Sequence, residues 1–122
     1  MKISVMGTGY VGLVSGTCLA ERGHQVTCID IRSEVVQEIN AGRPPIHEIG
    51  LDNLLRSARD KGMLSATTDA KTAILDSDVT LICVGTPTVD GRMDMSQIVA
   101  AAKEIGSALA SKRGYHVVAV KS

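Results

Sequence analysis

A chain of 122 residues that carries 13 Lys and Arg against 13 Asp and Glu has no formal net charge. With no basic patch dominating the sequence either, that balance argues against nucleic acid or an anionic membrane surface as a partner. Hydrophobic residues make up 44%, yet only Tyr10 and Tyr115 are aromatic, so a single-domain core has to be built from Val, Ile, Leu, Ala and Met, as in a helix-covered parallel sheet.

Lys2 to Met6 is a short apolar run that reads as a strand. Gly7-Thr8-Gly9-Tyr10-Val11-Gly12 follows, and Val11 to Arg22 reads as a helix. Gly7 suits a sharp turn out of the strand, Gly9 a close approach of backbone to a pyrophosphate, and Gly12 tight packing of helix on strand. The first amides of that helix have no internal partner and form an anion site together with the helix dipole. A second strand, Val26 to Ile29, ends in Asp30, which lies 23 residues after Gly7. That is the spacing of an acid that hydrogen-bonds the adenosine ribose of a dinucleotide.

Ser33 is expected to cap a second helix running to about Asn40, with Val35, Val36 and Ile39 on its apolar face. Ala41-Gly42 stops it, and Pro44 and Pro45 hold the next segment extended. A short helix is expected from Leu51 to Asp60, with Leu51, Leu54, Leu55 and Ala58 inward, and a third strand over Met63 to Thr67. Asp69 caps a small helix through Leu75, and Val79 to Val84 is a buried strand broken by Gly85-Thr86-Pro87-Thr88. Asp90-Gly91 marks a turn. Met95 to Ser111 is predicted helical, with Ile98, Ala101, Ala102, Ile105 and Leu109 inward, and Val117 to Val120 is the last strand.

Alternating strands and helices predict an α/β fold of the Rossmann type, a parallel sheet with helices on both faces and strand order 3-2-1-4-5. Ligand then bridges the carboxyl ends of strands one and four, where Gly7 to Gly12 meets Gly85-Thr86-Pro87. The cofactor expected there is NAD, because the 2′-phosphate of NADP would face the Asp30 carboxylate at a cost of about a few kcal/mol. Arg32 stands two residues on; it could pair with a phosphate, pair with Asp30, or stack on adenine. Cys18, Cys28 and Cys83 form no CxxC pair and share no ligand spacing with His24, His47 or His116, so they read as small buried hydrophobes and not as a metal site. Gly7, Gly9, Gly12 and Gly16 interrupt what could pass for a secretory signal, and no apolar run is long enough to cross a membrane. A soluble cytoplasmic protein is expected.

Gly7-Thr8-Gly9-Tyr10-Val11-Gly12, Pro45-Ile46-His47-Glu48 followed by Gly50-Leu51, Thr67-Thr68-Asp69 and Val84-Gly85-Thr86-Pro87-Thr88 together resemble the nucleotide-sugar 6-dehydrogenases, the family of UDP-glucose and GDP-mannose 6-dehydrogenases, across the whole chain. The resemblance implies oxidation of the C6 alcohol of a sugar nucleotide to a carboxylate by two NAD, through a cysteine thiohemiacetal and thioester. It implies that Tyr10 and Val11 meet the pyrophosphate through their amides, that Asp30 holds the adenosine ribose, and that Thr86 sits near the nicotinamide-side ribose; Arg32, Val84, Gly85 and Pro87 are expected to bind the cofactor beside them. Two positions depart from the family: Val35 stands where members often carry Lys, and Ile49 where the loop usually has Pro.

The family's nucleophilic cysteine and its Lys, Asn and Asp partners lie beyond the last strand of such a domain. No residue of this chain is therefore expected to be catalytic. His47 and Glu48 read as a solvated turn in preference to an acid/base pair. The chain is expected to be the cofactor half of a longer, homodimeric enzyme whose nucleotide-sugar pocket lies in a C-terminal domain. UDP-glucose is the substrate favoured and GDP-mannose the alternative. A stand-alone nucleotide-sensing module that regulates a partner is the competing reading.

Overall fold

The computed structural model describes residues 1–121. The elements follow in the order β1 (Lys2–Met6), α1 (Tyr10–Glu21), β2 (Gln25–Ile29), α2 (Ser33–Asn40), α3 (Leu51–Asp60), β3 (Leu64–Thr67), α4 (Ala70–Leu75), β4 (Val79–Ile82), β5 (Thr88–Val89), β6 (Arg92–Met93), α5 (Ser96–Leu109) and β7 (Val117–Val120). Five strands form one sheet in the order β3-β2-β1-β4-β7, and every neighbouring pair in it is parallel. This is the predicted topology, with β7 as its fifth strand.

β1 lies at the centre of the sheet, and its residues Ile3 to Met6 are all buried. Successive side chains point to opposite faces. Val5 and Cys28 join Leu13, Ile39 and Leu55 under α1, α2 and α3. Met6, Ile29 and Ile82 join Ile74 and Ile105 under α4 and α5. Helices thus cover both faces, and both cores are almost wholly aliphatic.

Several local expectations need correction. Ser33 does not cap α2; Arg32 is the N-cap residue and makes no side-chain cap bond. The reason lies in Asp30, whose carboxylate takes the Arg32 amide at 2.9 Å and so fixes Arg32 at the helix entrance. Cys18 is exposed, whereas Cys28 and Cys83 are buried as expected. In α3 Leu54 points largely to solvent, and in α5 Ala102 is exposed while Ala108 takes the core position. The turn at Asp90-Gly91 closes a short antiparallel hairpin, β5–β6, with φ of 51° and 75° at its two central residues. Positive φ at both places matches the turn that joins right-twisted strands. Asp69 does cap α4, accepting from the Thr72 amide at 3.2 Å and the Thr72 hydroxyl at 2.6 Å.

The middle of the sheet holds a chain of polar groups. The Ser4 and Thr80 hydroxyls, both fully buried, are 2.7 Å apart across β1 and β4. Thr80 continues to His116 Nε2 at 2.8 Å, and His116 Nδ1 meets Lys112 Nζ at 2.8 Å. Lys112 also donates to the Ser77 carbonyl. The ammonium can only donate, so Nδ1 accepts and the imidazole is neutral, with its proton on Nε2. Burial and the Lys112 charge hold the His116 pKa below its ordinary value. At the outer margin, β7 pairs with β4 alone among the described strands, and Val117, Val118 and Val120 are exposed.

Candidate functional site

The carboxyl ends of β1, β2 and β4 open into a crevice of about 850 Å³. Its floor and walls include Gly7, Gly9, Tyr10, Val11, Asp30, Arg32, Val84, Gly85 and Thr86. Residues drawn from three separate stretches of sequence therefore meet in one hollow. Gly12 lies beneath it, buried, and Pro87 stands outside its lining, where the Pro87 carbonyl accepts from the Asp94 amide at 2.7 Å.

The glycine turn is tight for steric reasons that can be read atom by atom. Gly7 has φ of 99°, and a Cβ on it would stand 2.8 Å from the Cys83 carbonyl oxygen. A Cβ on Gly12 would stand 1.9 Å from the Gly7 carbonyl oxygen, an impossible contact. These two positions bring α1, β1 and the end of β4 into backbone contact. Gly9 differs: its φ of −74° suits any residue, and an added Cβ would meet no protein atom within 4 Å. The protein itself therefore does not require glycine there. Its bare Cα faces the crevice, and a side chain would fill the space in front of the helix.

That helix entrance is open. The first internal bond of α1 runs from the Leu13 amide to the Gly9 carbonyl at 3.0 Å, and the N-cap makes no side-chain bond. The amides of Tyr10, Val11 and Gly12 consequently have no helical acceptor. Three converging N–H groups at the positive end of a helix dipole, with room for backbone approach at Gly9, fit a pyrophosphate.

Asp30 is the anionic counterpart on β2. Its side chain is 6% exposed. Oδ1 accepts from the Arg32 amide at 2.9 Å and Arg32 Nε at 3.0 Å. Oδ2 accepts from Arg32 Nη2 at 3.1 Å, the Thr8 amide at 3.3 Å and the Thr8 hydroxyl. Burial pushes the carboxyl pKa up, but the hydrogen bonds from Arg32 and Thr8 outweigh it and hold the group at about 2. Of the three partners open to Arg32, Asp30 is the one it meets in this structure.

Among the crevice residues that the sequence reading did not assign to the site, Thr8, Gln97 and Lys121 bear most directly on its geometry. Thr8 is buried between the glycines and locks the turn to Asp30. Gln97, from α5, accepts from the Gly85 amide at 3.2 Å and so fixes the β4 side of the opening. Lys121, immediately after β7, lines the far wall. A hydroxyl facing the acid could have flagged Thr8, and a cation at the carboxyl end of a strand could have flagged Lys121. Gln97 carries no such signal, because only the folded position of α5 brings it there.

Of the other singled-out groups, Cys83 lines the crevice and the rest lie elsewhere. His47 and Glu48 are exposed, and Glu48 hydrogen-bonds the Tyr10 phenol and raises its pKa. Ile49, the residue in place of the family's proline, is fully exposed and packs on nothing. Val35 is buried in the core and brings no charge to Asp30, whose cation is Arg32. Burial raises the Cys83 thiol and pushes Cys28 up to about 12, so neither offers a thiolate near neutrality. Among the described residues no helix is long and apolar enough to cross a membrane.

Comparison with known proteins gives the site its context. The family model described as "UDP-glucose/GDP-mannose dehydrogenase family, NAD binding domain" matches residues 1–122. GDP-mannose 6-dehydrogenase of Pseudomonas aeruginosa is 48% identical over the whole chain, and UDP-glucose 6-dehydrogenase of Rhizobium meliloti 47%. The chain spans 28% of the length of each of these relatives. Among solved structures, a ternary complex of the Pseudomonas aeruginosa GDP-mannose dehydrogenase superposes with a TM-score of 0.98, covering 100% of this chain and 28% of that one. UDP-glucose dehydrogenase of Pyrobaculum islandicum, 40% identical, superposes at 0.93 over 98% of this chain and 28% of that one. On the strength of a match that runs from end to end, this chain belongs to the UDP-glucose/GDP-mannose dehydrogenase family, as an NAD-binding domain with NAD for its cofactor.

Proposed function

We propose that this chain holds the dinucleotide of a nucleotide-sugar 6-dehydrogenase, an enzyme that oxidises the C6 alcohol of a sugar nucleotide to a carboxylate. The observation that carries this reading is the meeting of the open entrance of α1 and the Asp30 carboxylate in one crevice. In the bound state the Tyr10 and Val11 amides donate to the pyrophosphate, and Gly9 leaves space for it. Asp30 accepts from the adenosine ribose. Val84, Gly85 and Thr86 border the nicotinamide half, with Gln97 holding Gly85 in place. NAD supplies the hydride acceptor, and the residues of this chain only bind and orient it.

The reaction needs a nucleophile that this chain does not offer, since Cys28 and Cys83 are buried thiols and Cys18 stands on the outer face of α1. The reading therefore assigns substrate oxidation, dimer formation and the sugar pocket to polypeptide beyond this domain, as the 28% coverage of the relatives supports. UDP-glucose and GDP-mannose are both substrates to assay, because relatives named for each are almost equally similar, at 47% and 48% identity.

Titration calorimetry with NAD tests the binding half of the proposal, and saturable binding that Asp30→Ala weakens is the expected result. Spectrophotometric turnover by the intact protein tests the rest, with NADH formation from one of the two nucleotide sugars expected. NAD binding with no turnover of any nucleotide sugar would favour the nucleotide-sensing reading instead.

A further inference from the structure

The Asp30 carboxylate already takes five donors, so that at least one is shared or weak. A carboxylate offers about four lone-pair sites. In the free domain its two oxygens receive the Arg32 amide, Nε and Nη2 and the Thr8 amide and hydroxyl. The adenosine ribose brings two further hydroxyl donors to the same oxygens. Something has to leave before both can bind. The two amides are backbone groups at the ends of β1 and β2, and the Thr8 side chain is fully packed, at 2% exposed. The Arg32 guanidinium is the one mobile donor, on a side chain that is 55% exposed.

We propose that Arg32 determines cofactor specificity in this protein: its guanidinium occupies the ribose-binding face of Asp30 in the free domain and is turned out by the cofactor, and there it weakens the discrimination against NADP. This rests on the reading of Asp30 as the ribose acceptor. The consequence for NAD is an exchange in which two ion-pair hydrogen bonds from Arg32 give way to two from neutral hydroxyls. That exchange lowers NAD affinity relative to an unobstructed acid. The consequence for NADP is opposite. Arg32 remains tethered beside the ribose, because its own amide stays on Oδ1 at 2.9 Å. A planar guanidinium suits a phosphate bidentately, so a 2′-phosphate meets a cation as well as the acid. Val35 is in the core and Ile31 is an exposed hydrocarbon, so the charge nearest along the chain is Glu34, an anion that acts on Arg32 and tempers its pull on a phosphate.

The experiment is calorimetric titration of the intact protein with NAD and with NADP, in the natural sequence and in Arg32→Ala and Arg32→Lys. In Arg32→Ala the ratio of NADP to NAD dissociation constants is expected to rise about 10-fold or more, the worth of one charged contact, with NAD binding retained or tighter. Arg32→Lys, which keeps the charge and loses the planar fork, should fall between. Heteronuclear NMR gives an independent readout, since the Arg32 Nε–H signal should shift when NAD is added. An unchanged ratio in a folded Arg32→Ala protein, or loss of its NAD binding, overturns the proposal. A natural protein that binds neither dinucleotide overturns the ribose reading itself, a different result from an unchanged ratio.

Discussion

At the scale of single residues, Asp30 and Gly12 carry the sharpest consequences. Removing the Asp30 carboxylate by Asp30→Ala should weaken NAD by about 1–3 kcal/mol, as for a hydrogen bond to a charged group, measurable by calorimetry. The same carboxyl should shape acid stability. Its pKa is depressed to about 2 in the folded protein, against about 4 unfolded. The pairing it makes with Arg32 and Thr8 therefore contributes fully above pH of about 4 and is lost as pH falls towards about 2. The contribution should be about 1–2 kcal/mol, less than the full linkage value because Arg32 lies half in solvent. Denaturant titrations of Asp30→Asn across that range should show the flatter pH dependence. Gly12→Ala should cost about 1–3 kcal/mol or more, since its methyl would stand 1.9 Å from the Gly7 carbonyl and the backbone would have to part. Thermal denaturation reads this directly.

At the scale of elements, strand and helix identities were legible because the periodicities are clear. β1 and β4 read as buried strands, and α3 began and ended where its pattern said. What could not be read was which side of an evenly apolar helix faces inward. α1 is apolar all round, so burial of Thr17 in place of Cys18 is decided by packing and not by pattern. The inward face of α5, by contrast, was legible at Ala101 and Ile105 and failed only where Ala108 is buried in place of Ala102. The glycine turn and Asp30 were legible because backbone sterics require particular residues there. Thr8, Gln97 and Lys121 were not, because they meet the crevice only through the fold. The β4–β7 end yields its own prediction. His116 must stay neutral to accept from Lys112 while its Nε2–H serves Thr80. Its folded pKa is lowered, so its share of stability is present above the unfolded pKa of about 6.5 and declines as pH falls below it. Amide protection factors in β4 and β7 should fall on that side of neutrality, and His116→Gln should flatten the effect.

At the scale of the whole molecule, the crevice gathers residues from separate elements. Asp30 and Arg32 come from the β2 end, Tyr10 and Val11 from α1, and Gly85 from the end of β4, under the hand of Gln97. A dinucleotide laid across them acts as a strut. NAD at 100 times its dissociation constant should therefore stabilise the fold by about 2.7 kcal/mol, seen as a rise in melting temperature that scales with ligand concentration. A protein whose melting point ignores NAD would contradict the assignment of the crevice.

Among the described residues, β7 is an outer strand of the sheet, paired with β4 alone and carrying exposed valines. A strand with one flank unpaired presents amides and carbonyls to any extended peptide that comes alongside. Lys121 follows β7 directly, its amide held by the Ile82 carbonyl at 2.9 Å while it lines the crevice. A neighbouring polypeptide that annexed this border would thereby brace the cofactor's far bank, and grip on the dinucleotide would become sensitive to what lies a strand's width outside it.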